Sequence, residues 1–254
     1  MKSSRRKAGW ISLVVACGLA AQCHLWGATT LVQSSAGPSI DTLSPESRGD
    51  LLMVRQQYVQ AIEAYRDAPM NAVLWNKLGI AYHHMLAFDE AKRDYEHALK
   101  LEPEYPEAIN NLAAAYFAEK KYRKSIHLYR RALKLRPRSA VIAANLGTAY
   151  FAEGRFQSGI EEYQTAFALD PTVFGASNMA TIEGGINAHD RARQDFCIAE
   201  LFAQAGMRDH AIEYLRKALD EGFGDRSRIM QDSDFAQLRK TSQFAQLMAE
   251  EKLH

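Results

Sequence analysis

Pro103, Pro137 and Pro171 lie 34 residues apart, and the residues around them keep the same interval. Leu78, Leu112 and Leu146 share it, as do Tyr82, Tyr116 and Tyr150, and Tyr95, Tyr129 and Tyr163. Ala98, Ala132 and Ala166 form another column. Gly79, Ala113 and Gly147 form a column of small residues, and Ala91, Ser125 and Gly159 a second. So many columns at one period mean stacked copies of a single supersecondary unit. Such copies share a core that none could bury alone and leave a long surface open to a partner.

Each unit divides into two helical stretches. In the first, from Ala72 to about Leu86, Leu74, Trp75, Leu78 and Tyr82 recur at helical spacing. The second, from Asp89 to Leu101, repeats this with Ala91, Tyr95, Ala98 and Leu99. One amphipathic face per helix follows from that spacing. A small residue after each column leucine lets two helix backbones approach closely. Proline then ends the second helix, because the residue before it is pushed out of helical conformation.

These residues resemble the tetratricopeptide repeat, whose pattern is Trp-x2-Leu-Gly-x2-Tyr, then Ala, an aromatic, Ala and Pro. The first unit carries Trp75, Leu78, Gly79, Tyr82, Ala91, Tyr95, Ala98 and Pro103. The second has Ile109, Leu112, Ala113, Tyr116, Ser125, Tyr129, Ala132 and Pro137; the third has Ala143, Leu146, Gly147, Tyr150, Gly159, Tyr163, Ala166 and Pro171. Full repeats are expected near 72–105, 106–139 and 140–173. A degenerate fourth, near 192–225, places Ile198, Ala199, Phe202, Ala211, Leu215 and Ala218 at matching positions after an insertion at 174–191. Upstream, Tyr58, Ala61, Tyr65 and Ala68 look like the second helix of a partial repeat, so the array is expected over 48–225.

Beyond it, Phe235-Ala236-Gln237-Leu238 recurs as Phe244-Ala245-Gln246-Leu247, with Ser233 and Ser242 at expected N-caps. Two short capping helices within 226–254 would close the exposed end of the core. The expected fold is an all-α solenoid of helix-turn-helix repeats with C-terminal capping helices.

The resemblance implies where a partner would sit. In this family the first helices line the concave face through repeat positions 5, 6, 9 and 12. Position 5 is Asn76, Asn110 and Ala144; position 6 is Lys77, Asn111 and Asn145. Position 9 is Ile80, Ala114 and Thr148, and position 12 is His83, Phe117 and Phe151. Asparagine can donate to and accept from a partner's backbone at once. Phe117 and Phe151 would offer apolar pockets of the kind that dominate interface energies. The alternative is that these asparagines bond the neighbouring helix and the aromatics belong to the core. Changing Asn111 and Asn145 to Ala separates the two: a groove role weakens capture without unfolding the array. Lys77 is the one base among these positions, so the sequence departs from relatives that clamp a C-terminal carboxylate.

Charge is uneven along the chain. Residues 1–28 hold Lys2, Arg5, Arg6 and Lys7 and no acid, and setting those four aside leaves 27 bases against 30 acids. A weakly acidic body has no overall electrostatic footprint for nucleic acid. The basic stretch precedes an uncharged, largely apolar run from Gly9 to Ala21, the order of a secretory signal. Residues 1–28 are therefore expected to be a signal peptide, cleaved at the small–x–small pattern Gly18-Leu19-Ala20 or later, near Ala28. The alternatives are a lipoprotein leader with Cys17 as the acylated residue, or a retained inner-membrane anchor. Each puts the body outside the cytoplasm, in the periplasm or at the envelope. Residues 29–47, rich in Ser, Thr, Gly and Pro, read as a flexible linker.

Catalytic patterns are missing from the sequence. His83 and His84 are adjacent and point about 100° apart on a helix, and no metal-ligand spacing of His or Cys occurs. Gly184-Gly185 lacks a following Gly-Lys-Ser/Thr, so it reads as a connection or a loop over a bound partner, not a phosphate loop. Cys197 is the one cysteine outside the leader and reads as a small buried apolar residue. No cofactor is expected. The function expected is a non-catalytic scaffold or assembly factor that binds a protein or peptide, as a monomer. The alternatives are a self-associating structural module, or an envelope enzyme or glycan-binding protein that uses the 174–191 loop.

Overall fold

The computed structural model describes residues 42–175, 187–223 and 226–250. The leader, most of the linker and Gly184-Gly185 lie outside the described residues. Within them the chain is helices and short 3-10 turns, with no strand.

Five helical hairpins follow one another. They pair α1 (Pro45–Val54) with α2 (Tyr58–Arg66), α3 (Ala72–His84) with α4 (Phe88–Leu101), and α5 (Pro106–Ala118) with α6 (Tyr122–Leu135). Then α7 (Ala140–Ala152) pairs with α8 (Phe156–Leu169), and α9 (Ala188–Gln204) with α10 (Arg208–Asp220). Each second helix also packs on the first helix of the next unit through α7. The arrangement is an all-α solenoid.

One contact recurs inside the hairpins. A tyrosine sixteen residues after a glycine lies flat on that glycine's backbone: Tyr65 on Gly49, Tyr95 on Gly79 and Tyr163 on Gly147. A Cβ added at these glycines would stand 2.3, 2.5 and 2.4 Å from the ring. The small-residue column is thus the seat of the tyrosine column, and every one of these rings is buried.

The hairpin turns recur as strictly. Gln56, Leu86, Lys120, Gly154 and Gly206 all adopt left-handed backbone, with φ between 58° and 81°. After each, an amide reaches back to the last turn of the first helix, as in Ala87 N to Tyr82 O and Arg155 N to Tyr150 O. This is the Schellman closure, which satisfies carbonyls that a helix end leaves open.

Two boundaries differ from the sequence expectation. The expected linker runs to residue 47, yet α1 begins at Pro45. Ser44 caps it by accepting from the Ser47 amide at 3.2 Å, and Pro45 occupies the first turn, where its missing N–H is harmless. The upstream unit is therefore a full hairpin, shortened so that its columns precede the next by 30 residues.

At the other junction, Pro171–Phe174 forms a 3-10 turn whose Val173 and Phe174 are buried. Phe174 meets Tyr163 edge-on, and the Tyr214 hydroxyl donates to its carbonyl. The fourth-unit helix starts at Ala188, earlier than the expected 192, because Asn187 caps it through the Asp190 amide at 2.9 Å.

The C-terminal end is closed by α11 (Arg226–Gln231), two 3-10 turns at Ser233–Phe235 and Leu238–Lys240, and α12 (Ser242–Ala249). Phe235, Leu238, Phe244 and Leu247 are all buried in one cluster with α9 and α10. The caps are Asp232 and Thr241, one residue before the serines singled out in the sequence. Asp232 and Thr241 hold extended backbone and so can turn their side chains onto the amides of Asp234 and Phe244.

Candidate functional site

The twelve residues at positions 5, 6, 9 and 12 do not form one open trough. Asn76, His83, Ala114, Phe117, Ala144, Asn145, Thr148 and Phe151 are buried. Lys77, Ile80, Asn110 and Asn111 keep partial access to solvent.

The asparagines bond to one another across the repeats. Asn111 Nδ2 donates to Asn76 Oδ1 at 3.0 Å, and Asn145 Nδ2 donates to Asn110 Oδ1 at 3.0 Å. Asn110 Nδ2 donates to Asn111 Oδ1 at 3.2 Å and joins the two links. A polar ladder therefore stitches α3, α5 and α7 together. Asparagine suits it because each amide donates and accepts at once. Lys77 is also engaged: its Nζ lies 2.7 Å from Glu46 and 2.8 Å from Asp50, both on α1. Its charge is matched within the protein, where a carboxylate clamp would need it free.

Phe117 and Phe151 open no pocket inside their own hairpins. Both are 1% exposed. Phe151 lies on Gly159 of its own hairpin, where a Cβ would come within 2.6 Å of the ring, and Phe117 leans on Tyr122. The reason is positional. Position 12 lies four residues after the small-residue column, so it shares that column's helix face and points at the second helix. His83 obeys the same rule, meeting Phe88 edge-on, and burial holds its imidazole down to about 4. Thr148 is internal as well: its hydroxyl bonds the Tyr163 hydroxyl at 2.7 Å and the Ala144 carbonyl at 3.0 Å.

An opening does exist one unit further on. A cleft of about 440 Å³ lies between the α7–α8 hairpin and α9. Phe151, Phe156 and Ile160 wall one side; Phe196 and Phe223, stacked at 4.2 Å, wall the other. Two guanidinium groups stand on these rings, Arg193 at 4.5 Å from Phe156 and Arg228 at 4.9 Å from Phe196. Cys197 and Glu200 complete the α9 side. By the 52-residue offset between the third and fourth units, Phe196, Cys197 and Glu200 occupy positions 5, 6 and 9. The sequence carries this signal once the positions are followed across the insertion.

The cleft's polar groups are perturbed. Burial, then repulsion from Asp232, raises the Glu200 carboxyl to about 7. Glu200, Asp232 and Asp234 approach within 4.8 Å of one another, and Gln204 donates to Asp234 at 2.8 Å. The Cys197 thiol is pushed up to about 12 by burial and the nearby Glu200 charge. At neutral pH it is a thiol, not a nucleophilic thiolate.

Comparison with known proteins agrees with this architecture. The tetratricopeptide repeat profile matches residues 72–105, 106–139 and 140–173. No curated protein sequence matches the chain. Among solved structures, the Cut9–Hcn1 hetero-tetramer of the APC/C superposes with a TM-score of 0.51 at 16% identity, covering 80% of this chain and 35% of that one. A crystal structure of MamA aligns at 24% identity over 68% of this chain and 93% of that one, with a TM-score of 0.47. Three consecutive matched units, each folded as a helical hairpin on the next, place this chain among the tetratricopeptide repeat proteins.

Proposed function

We propose that this protein is a non-catalytic scaffold or assembly factor at the cell envelope, and that it holds a segment of another protein in the cleft between α8 and α9. The observation that carries this reading is the aromatic cleft itself. It sits at first-helix positions 5, 6 and 9 of the fourth unit, while the same positions in earlier units are largely consumed by the ladder. Four phenylalanines suit a large apolar side chain, and the guanidinium rim suits a neighbouring acidic one. The envelope assignment rests on the basic-then-apolar order of residues 2–21.

Affinity capture from the envelope fraction tests both parts. Arg193 is exposed and Ile160 half-buried, so Arg193→Glu and Ile160→Glu alter the cleft rim rather than the core. Species held by the wild-type protein and lost from both variants, at unchanged helicity, support the reading. Species held equally by all three proteins overturn the cleft. Recovery of the native protein in the cytosol overturns the envelope assignment.

A further inference from the structure

The second helices share their buried faces but not their outer ones. On α6 the outward sector is formed by Arg123, Lys124, His127, Arg130, Arg131 and Lys134, all exposed. At 100° per residue they fall within about a third of the helix circumference. Five of the six are permanently charged. No acid occurs anywhere between Glu119 and Glu153, a stretch that also holds Lys120, Lys121, Arg136 and Arg138.

The equivalent six positions elsewhere look nothing like this. On α4 they hold three acids and two bases, on α8 one acid and no base, and on α10 three acids and two bases. The core does not demand the charge, since the other hairpins pack without it. Neighbouring acids answer only part of it: Glu153 meets Arg123 at 3.2 Å, Glu107 meets Arg136 at 2.5 Å, and Glu162 lies within electrostatic reach of Arg130.

We infer that the outer face of α6 is a second docking surface, and that its occupant is an acidic polypeptide segment lying along the helix. The shape of the charge selects the occupant. The stripe runs from Arg123 to Lys134 on a helix of 14 residues, roughly 21 Å, and is one helix wide. Neighbouring helices bring acids to it: Glu162 on α8 lies within electrostatic reach of Arg130, and the equivalent face of α4 carries Glu96 among mixed charges. A planar anionic bilayer or a nucleic-acid duplex is broader than one helix and would press its own negative charge on those carboxylates. A single acidic strand or helix fits along the stripe and gains the complementarity that steers association and fixes register. This surface is separate from the cleft and does not depend on it.

The probe is fluorescently labelled poly-L-glutamate about as long as α6, read by anisotropy at physiological ionic strength. Wild-type protein is expected to bind it saturably, more weakly as salt rises. Lys124→Glu, Arg130→Glu and Lys134→Glu together should weaken binding at least about tenfold, one decade being a modest loss for three reversed charges. The control carries the same change in net charge elsewhere, through Arg55→Glu, Arg208→Glu and Lys240→Glu, on the first hairpin, the last hairpin and the C-terminal turns. It should bind within about twofold of wild type, because distant charges are screened. All these positions are exposed, and circular dichroism checks that both triple variants keep their helices. No saturable binding, or equal loss in the control, overturns the proposal. So does protein held on phosphatidylglycerol vesicles that poly-L-glutamate fails to displace, which would assign the stripe to a membrane.

Discussion

The ladder across α3, α5 and α7 and the cleft beside α9 occupy the same repeat positions, yet one is shut and the other open. In the first three units the polar side chains at positions 5 and 6 answer each other from repeat to repeat. Successive units share one period there, so side chains meet at fixed intervals. At the fourth unit the period breaks. The Pro171–Phe174 turn packs against α7 and α8, α9 enters from a different point, and aromatic rings face across the gap. A uniform period builds a stiff spine, and the break in it makes room for a ligand.

The largest effect tests whether both ends are equally tight inside each hairpin. Gly79→Leu and Gly147→Leu would each drive a side chain into a buried tyrosine, at 2.5 and 2.4 Å already for the Cβ alone. Overpacking of this kind costs about 3 kcal/mol, and thermal melts should show a similar fall for both. If Gly147→Leu is tolerated and Gly79→Leu is not, the cleft end is plastic and its opening is not a fixed feature.

Breaking the ladder comes next. Asn111→Ala removes the donor to buried Asn76 and the acceptor for Asn110. Leaving such groups unanswered costs about 1–3 kcal/mol, and adding Asn145→Ala deepens the loss by removing the donor to Asn110. Denaturant titration measures it. A groove role has these two changes weaken capture without unfolding; the ladder reverses that, so stability falls while cleft binding persists. An unaltered midpoint would return the asparagines to a binding role.

What the sequence makes legible is whatever repeats. The small-residue and tyrosine columns state the hairpin packing outright, because a ring can lie on a backbone only where no Cβ intervenes. The terminal phenylalanines and leucines are legible for the same reason, as a duplicated motif. Position 12 shows how a family pattern misleads: it assigns Phe117 and Phe151 to one continuous groove, whereas Phe117 is sealed in its hairpin and Phe151 meets a cleft only beside α9. Their four-residue spacing from the small-residue column already points them at the second helix. The cleft escapes the columns because it lies where the 34-residue period breaks, between the third and fourth units. Helix α1 is hidden by a stretch rich in Ser and Gly, whose one firm signal is Ser44-Pro45 at a helix start.

The two ends should also respond to pH with opposite sign. Buried His83, held down to about 4, stays neutral in the fold while the unfolded chain takes up its proton below about 6.5. Its contribution is therefore intact above that pH and lost as pH falls toward 4. Glu200, raised to about 7, remains protonated in the fold after the unfolded chain has ionised. Stability on its account is greatest below about 4.3 and falls as pH rises to 7. Partial solvent access reduces each to the order of 1–2 kcal/mol. Glu200→Gln should gain stability at pH 8 and little at pH 4, whereas His83→Gln should flatten the acid side. Parallel curves for Glu200→Gln and wild type from pH 4 to 8 would mean that the cleft wall is better solvated than its geometry indicates.

The smallest effect separates the ends by their turns. The first three hairpins place Gln56, Leu86 and Lys120 in left-handed backbone, and the last two place Gly154 and Gly206 there. A side chain in that region is disfavoured by contact of its Cβ with the following carbonyl, by roughly 1 kcal/mol. Leu86→Gly should therefore stabilise the ladder end by about 0.5 kcal/mol once the extra freedom of glycine in the unfolded chain is set against the relief. Leu86 is 73% exposed, so little packing is lost with it. Gly206→Ala, with open space around its Cβ, should destabilise the cleft end by about the same amount through backbone strain alone. Hydrogen exchange localises the two changes: Leu86→Gly should slow opening of α3 and α4, and Gly206→Ala should hasten that of α9 and α10. Changes spread evenly over all five hairpins would show that the array opens as one cooperative unit, and that the two ends differ in surface but not in local stability.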